Sequence, residues 1–205
     1  MDIDYKEVID FSKLKDCIKN RRTTLKYVAE DCGLRAAQIS QIIQGFTLPK
    51  TDTVAKICAV LKVRVSEISE FKEIQEKEEF KNISVLYDLS DTPEKKLSYK
   101  PLWAFIHEYL KYHPDKTPND IFDAIEPYRK RNGNYDKSLK GVTAANAAKN
   151  RTGEKKENRN RRSYSSGLPL ATRTKLRNDR PMSMRTIYDI CRYFGCTVDF
   201  VLGYK

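Results

Sequence analysis

His107, His113 and the carboxylates Asp115, Asp120 and Asp123 are the side chains of this chain whose types and spacing could support catalysis. A metal-ion nuclease needs carboxylates converging on one point, and a metalloenzyme needs histidine or cysteine at ligand spacing. His107 lies inside an amphipathic stretch and His113 precedes Pro114. Neither stands at ligand spacing to a cysteine or to another histidine. Carboxylates along one polar stretch are more simply a solvated helix face. The His-x-x-Arg element of tyrosine recombinases is missing, because His107 is followed by Glu-Tyr-Leu and His113 by Pro-Asp-Lys. There is no glycine-rich phosphate loop and no Gly-x-Ser-x-Gly. The sequence therefore predicts no catalytic residue, no metal and no cofactor.

The remaining chemistry is non-covalent. Between Arg35 and Gly45 there is no acidic residue, so Arg35, Gln38, Ser40, Gln41 and Gln44 can approach phosphates without repulsion. The chain carries a net charge of +11. That charge is gathered: residues 126–166 hold twelve basic side chains against four acidic ones, including Arg129-Lys130-Arg131 and the cluster with Arg159, Arg161 and Arg162. Concentrated positive charge points to a polyanionic partner.

The elements that must position these groups appear twice. Residues 53–68 and 186–201 align at a constant offset: Thr53 with Thr186, Ile57 with Ile190, Cys58 with Cys191, Leu61 with Phe194 and Val65 with Val198. Such repetition implies two copies of one small helical unit. In the first copy, apolar spacing predicts helices over 12–20, from Thr23 or Thr24 to Gly33, over 36–44 with Ile39, Ile42 and Ile43 inward, over 51–61, and a short fifth at Val65 and Ile68. Glu70 to Glu79 reads as a short helix or as the continuation of the one before it, followed by a turn and linker at 90–94.

In the second copy, a helix begins at about Tyr99 and reaches about Lys111. Residues 117–125 make the preferred second helix, with a threonine cap and Pro118 at its first position; 143–150 is the alternative, which would bury only alanines. Gly167 to Asn178 stands where Gly33 to Gln44 stands in the first copy, and an insertion of about forty residues separates the two helices. Arg173 occupies the position of the inward Ile39. Either its helix is rotated, or its stem lies over the core and its head reaches a phosphate. Cys17, Cys32, Cys58, Cys191 and Cys196 include no Cys-x-x-Cys pair and read as reduced thiols, which places the chain in the cytoplasm. No apolar run approaches membrane-spanning length.

The stretch Thr24 to Gly45, with Ala29 at the helix contact, Gly33 in the turn and Leu48-Pro49 beyond, closely resembles the helix-turn-helix of the Cro and lambda-repressor-like family. The likeness covers residues 11–69, and 167–202 is similar to the same family, in particular to gene regulators of mobile elements and Gram-positive bacteria. The resemblance implies an all-α fold: two five-helix domains, 1–69 and 98–205, joined by a linker at 70–97, the second carrying the basic insertion at about 126–166. It implies that the third helix of each copy lies in the major groove of double-stranded DNA.

Ala36, Ala37 and Gln41 would then face base edges, with Gln38, Ser40 and Arg35 beside them. Thr24, Lys26, Gln44, Lys50 and Thr51 would hold the backbone. Leu25 stands where the family carries Gln, and the amides at the start of that helix remain available to a phosphate. In the second copy Leu170, Ala171, Thr174 and Lys175 would face bases, Lys175 standing in the place of Gln41 and suited to guanine. Arg173, Arg177, Asn178, Arg180 and Arg185 would serve the backbone. Arg159, Arg161 and Arg162 would add backbone contact on DNA, or bind RNA as an arginine-rich segment. The expected function is a sequence-specific transcriptional regulator, most simply a repressor, with a homodimer or a protein partner as further possibilities. The alternative is an interaction factor, like antitoxins or phage inhibitors, that uses one copy for autoregulation.

Overall fold

A computed structural model describes residues 5–75, 98–126 and 167–203. All of these belong to one compact unit, which takes in residues 1–128 and 166–205; a second unit, 129–165, lies outside the described residues.

The first copy is built from Lys13–Asn20 (α1), Leu25–Cys32 (α2), Ala36–Ile43 (α3), Thr51–Leu61 (α4) and Val65–Ile68 (α5). Local chemistry sets their ends. The Thr24 hydroxyl accepts from the Tyr27 amide at 3.2 Å, satisfying one orphan donor of α2. Gly33 closes α2 at φ 67°, a left-handed conformation that glycine enters without a Cβ clash. The Gln38 carbonyl caps the Arg35 amide at 2.8 Å, fixing the entry into α3.

The second copy follows the same plan with Lys100–Tyr112 (α6), Pro118–Ala124 (α7), Leu170–Arg177 (α8), Met184–Phe194 (α9) and Val198–Val201 (α10). The expected second helix, 117–125, is present as α7, capped by Thr117 with Pro118 in its first turn. The alternative at 143–150 lies outside the described residues. α4 and α9 end alike: Val63 N–H donates to Cys58 C=O at 3.0 Å, and Cys196 N–H donates to Cys191 C=O at 3.1 Å. The left-handed residue is Gly195 in the second copy but Lys62, at φ 53°, in the first.

The insertion enters at the helix-helix turn itself. In the first copy Leu34 N–H donates to Ala29 C=O at 2.7 Å across Gly33. In the second, Leu168 N–H donates to Phe122 C=O at 2.8 Å, although more than forty residues intervene in the chain. Gly167 adopts φ +95° here, and a Cβ on it would come within 2.6 Å of the Asp123 Cα. The turn is thus rebuilt with only glycine able to fit.

One expectation is corrected. Glu70 does not start a helix: Glu70–Phe71 pairs antiparallel with Ile9–Asp10. Extended backbone carries the Phe71 ring to within 5.7 Å of the Tyr188 ring, where it covers the core. Residues 76–97 lie outside the described residues.

The two copies pack on each other and share one continuous core. Lys50 pairs with Ser183 in an antiparallel bridge. Around it Thr51 N–H donates to Met182 C=O at 2.9 Å, and Met184 N–H donates to Pro49 C=O at 3.4 Å. The Thr51 hydroxyl lies 2.9 Å from the Tyr99 hydroxyl and accepts from the Met182 amide at 3.0 Å. Burial pushes the Tyr99 hydroxyl up to about 12, so it stays protonated there. The Asp199 carboxylate accepts from the Val65 and Ser66 amides at 2.9 and 3.2 Å, capping α5 from the other copy. The Tyr5 hydroxyl donates to the Asp189 carboxylate at 2.9 Å.

Candidate nucleic-acid interface

α3 is amphipathic because Ile39 and Ile42 recur on one side and are buried. That anchoring turns Ala36, Ala37, Gln38, Gln41 and Gln44 outward, all exposed, with Ser40 half-buried at the margin. Arg35 is exposed at the helix start. The Gln38 carbonyl is engaged with the Arg35 amide, which leaves its NH2 as the group it can offer outward. Gln41 can offer both amide atoms, the pattern that pairs with adenine N6 and N7.

α8 carries a different face on the same frame. Leu176, at the Ile42 position, is its one buried residue. Leu170 is 77% exposed, and Ala171, Thr174, Lys175, Arg177 and Asn178 lie along the same open side. The Thr174 hydroxyl donates to Leu170 C=O at 3.0 Å, so it retains acceptor capacity outward. Neither α3 nor α8 contains an acidic residue.

Two of the flanking cations are held over aromatic rings. Arg177 lies over the Trp103 ring at 5.6 Å, and Arg185 over the Tyr5 ring at 5.4 Å. Stacking fixes a guanidinium plane while leaving its N–H edges able to meet phosphate. Arg180 and Lys50 are exposed. Lys26 makes an exposed pair with Glu30 at 3.9 Å, which solvent weakens. Thr24 spends its hydroxyl oxygen on the cap of α2. Arg159, Arg161 and Arg162 lie outside the described residues.

Two expected backbone contacts are corrected. Thr51 is fully buried, its hydroxyl consumed between Tyr99 and Met182, so it cannot reach a phosphate. Arg173 does occupy the place of Ile39, but its head does not reach outward. It donates to Leu168 C=O at 2.8 Å and to Asn119 Oδ1 at 3.0 Å, pairs with Asp123, and lies 5.6 Å over the Phe122 ring. The guanidinium ties α8 to α7, the task that an apolar contact performs in the first copy.

The possible catalytic groups are also placed. The Asp120 carboxylate accepts from the Thr117 hydroxyl and amide, and those bonds hold it below the usual carboxylate range. Asp123 is the partner of Arg173. The His113 ring stacks on Tyr109 at 4.0 Å, and the His107 ring lies 5.9 Å from Trp103. Among the described residues no three histidine, cysteine or acidic side chains group to hold a metal. None of the five cysteines is in a disulfide, and burial pushes the Cys58 and Cys191 thiols up. No described helix is long and apolar enough to cross a membrane.

Phe46, 65% exposed, follows directly on the α3 segment and was not among the expected contacts, whereas Tyr27, 58% exposed, lines a pocket with Arg21, Thr23, Val60, Leu61 and Lys62. Phe46 directly follows Gly45, outside any apolar stripe, and that position was the available sign. The model of the Cro/C1-type HTH DNA-binding domain matches residues 13–73 and 163–205. No curated protein and no solved structure gives a match.

Proposed function

Since this chain belongs to the Cro/C1-type helix-turn-helix DNA-binding domain family, we propose that it is a sequence-specific regulator that occupies double-stranded DNA with both copies and represses by covering a promoter. The observation that carries this reading is the pair of exposed, acid-free faces on α3 and α8. The buried side of each helix is anchored, so each outward face can lie in the major groove as a unit. Base reading is assigned to Arg35, Ala36, Ala37, Gln38, Ser40 and Gln41 in one copy and to Leu170, Ala171, Thr174 and Lys175 in the other. Thr24, Lys26, Gln44, Lys50, Arg177, Asn178, Arg180 and Arg185 are assigned to the backbone, with Arg159, Arg161 and Arg162 adding to them.

Gel shifts with duplex DNA from the chain's own promoter, scrambled duplex and RNA, at several salt concentrations, test the reading. The promoter duplex is expected to bind tightest and to lose affinity steeply with salt. Neutralising Arg159, Arg161 and Arg162 together is expected to reduce the log–log salt slope by about 2 to 3, roughly 0.9 for each phosphate left without its cation. Equal affinity for promoter and scrambled duplex would overturn the proposal, and an unchanged slope would remove the three arginines from it.

A further inference from the structure

We infer that a single chain fills a two-part operator alone, as a covalent pseudo-dimer whose two half-sites are inverted relative to each other and unlike in sequence. The inference rests on the DNA-binding reading above and concerns how the copies are related. At the offset that aligns 53–68 with 186–201, Lys50 is the counterpart of Ser183, Pro49 of Met182, Thr51 of Met184 and Ser66 of Asp199. The bridge joins Lys50 to its own counterpart. The flanking bonds are reciprocal: Thr51 N–H donates to Met182 C=O, and Met184 N–H donates to Pro49 C=O. Exchange of this kind, in which each residue meets the counterpart of its neighbour, is the mark of an isologous interface. A head-to-tail tandem would instead join unlike positions. Ser66 likewise meets its own counterpart, its amide donating to Asp199. A residue can touch its own counterpart only close to a twofold axis. Two such contacts therefore place that axis through the Lys50–Ser183 bridge and the Ser66–Asp199 contact.

Rotation about an axis leaves height along it unchanged. α3 and α8 therefore stand at one level, on opposite sides of the line, and each ends a few residues before the bridge. Duplex DNA has its own twofold axes, so helices related this way meet equivalent groove edges on an inverted pair of half-sites. A direct repeat offers one helix the wrong strand polarity. The side chains then break the symmetry: Gln41 is answered by Lys175, Ser40 by Thr174, and Ala36 by Leu170. Gln favours adenine and Lys favours guanine at the matching position, so the two half-sites differ and the chain binds in one orientation.

The test uses the full chain and a pool of random duplexes, with sites recovered by repeated selection and the complexes weighed by native mass spectrometry. The expected result is one chain per duplex on two unlike, inverted half-sites. Flipping one half-site into a direct repeat should lower affinity by at least about 100-fold, because the second copy then loses its tethered advantage. Recovery of direct repeats, two chains on one site, or indifference to the flip would overturn the inference while leaving sequence-specific binding intact. A pool that yields no preferred sequence would overturn the DNA-reading proposal itself, and this inference with it.

Discussion

Lys175→Glu in the full chain is expected to weaken binding to the selected duplex by at least about 100-fold, with the melting temperature nearly unchanged. Lys175 is exposed on α8 and packs against none of the core that anchors Leu176. An exposed substitution of this kind changes stability by no more than about 0.5 kcal/mol. The effect on binding has two sources. Without its lysine, the guanine position forfeits about 1–3 kcal/mol of discrimination. The new carboxylate then faces phosphate in a groove lined on the protein side by an acid-free helix, so the second copy withdraws. What remains is one copy without its tethered neighbour, and tethering contributes on the order of 10²–10⁴ in affinity. Lys175→Gln separates the two effects. It gives α8 the side chain found at Gln41, and the preferred base at that position should move from guanine towards adenine with a much smaller loss. Binding by fluorescence anisotropy and melting by calorimetry check both variants. Unaltered affinity of the Glu variant would show that α8 does not read the groove.

The helices and their duplication were legible because they depend on local spacing. Ile57 and Ile190, Cys58 and Cys191, and Leu61 and Phe194 keep one burial pattern in both copies, and all six are buried. The outward side of α3 followed from the same arithmetic, since burying Ile39 and Ile42 leaves Gln41 outside. The contacts between copies were not legible. Thr51 reads as a helix-start residue, and no local spacing marks Asp199. Their partners, Tyr99 and the Val65 amide, lie 48 and 134 residues away and follow no periodic rule. Arg173 misled for a related reason: its partners Asn119 and Asp123 stand across the insertion, 54 and 50 residues distant. Glu70–Phe71 is a strand only because Ile9–Asp10 is there to pair with it. What the sequence hid was the chemistry joining one copy to the other, and the proposed operator geometry depends on that joining.

Asp199→Ala is expected to destabilise the chain by about 3 kcal/mol, because it strips hydrogen-bond partners from two amides at once. The Asp199 carboxylate serves those of Val65 and Ser66, at the start of a helix in the other copy. Val65 is fully buried, and the first amides of a helix have no partner within it. Alanine leaves the Val65 donor with neither protein nor water, and each unsatisfied buried group costs about 1–3 kcal/mol. The Ser66 amide, nearer solvent, recovers part of its loss by hydration. For a chain of this size 1 kcal/mol moves the midpoint by roughly 2–4 °C, so a fall of about 10 °C is expected in a calorimetric melt. Asp199→Asn tests whether hydrogen bonding or charge is responsible. The asparagine carbonyl can accept from the same two amides, so most of the stability should return; what is missing is the charge-assisted part. The same pair bears on the operator. Ser66 and Asp199 mark one end of the inferred axis, so a copy freed there can tilt against its neighbour. The Ala variant, assayed well below its midpoint, should discriminate less between inverted and direct half-sites than the Asn variant. Copies that fold and bind without this contact would give an Ala variant melting within about a degree of the parent, and the axis would then lose one of the two points that define it.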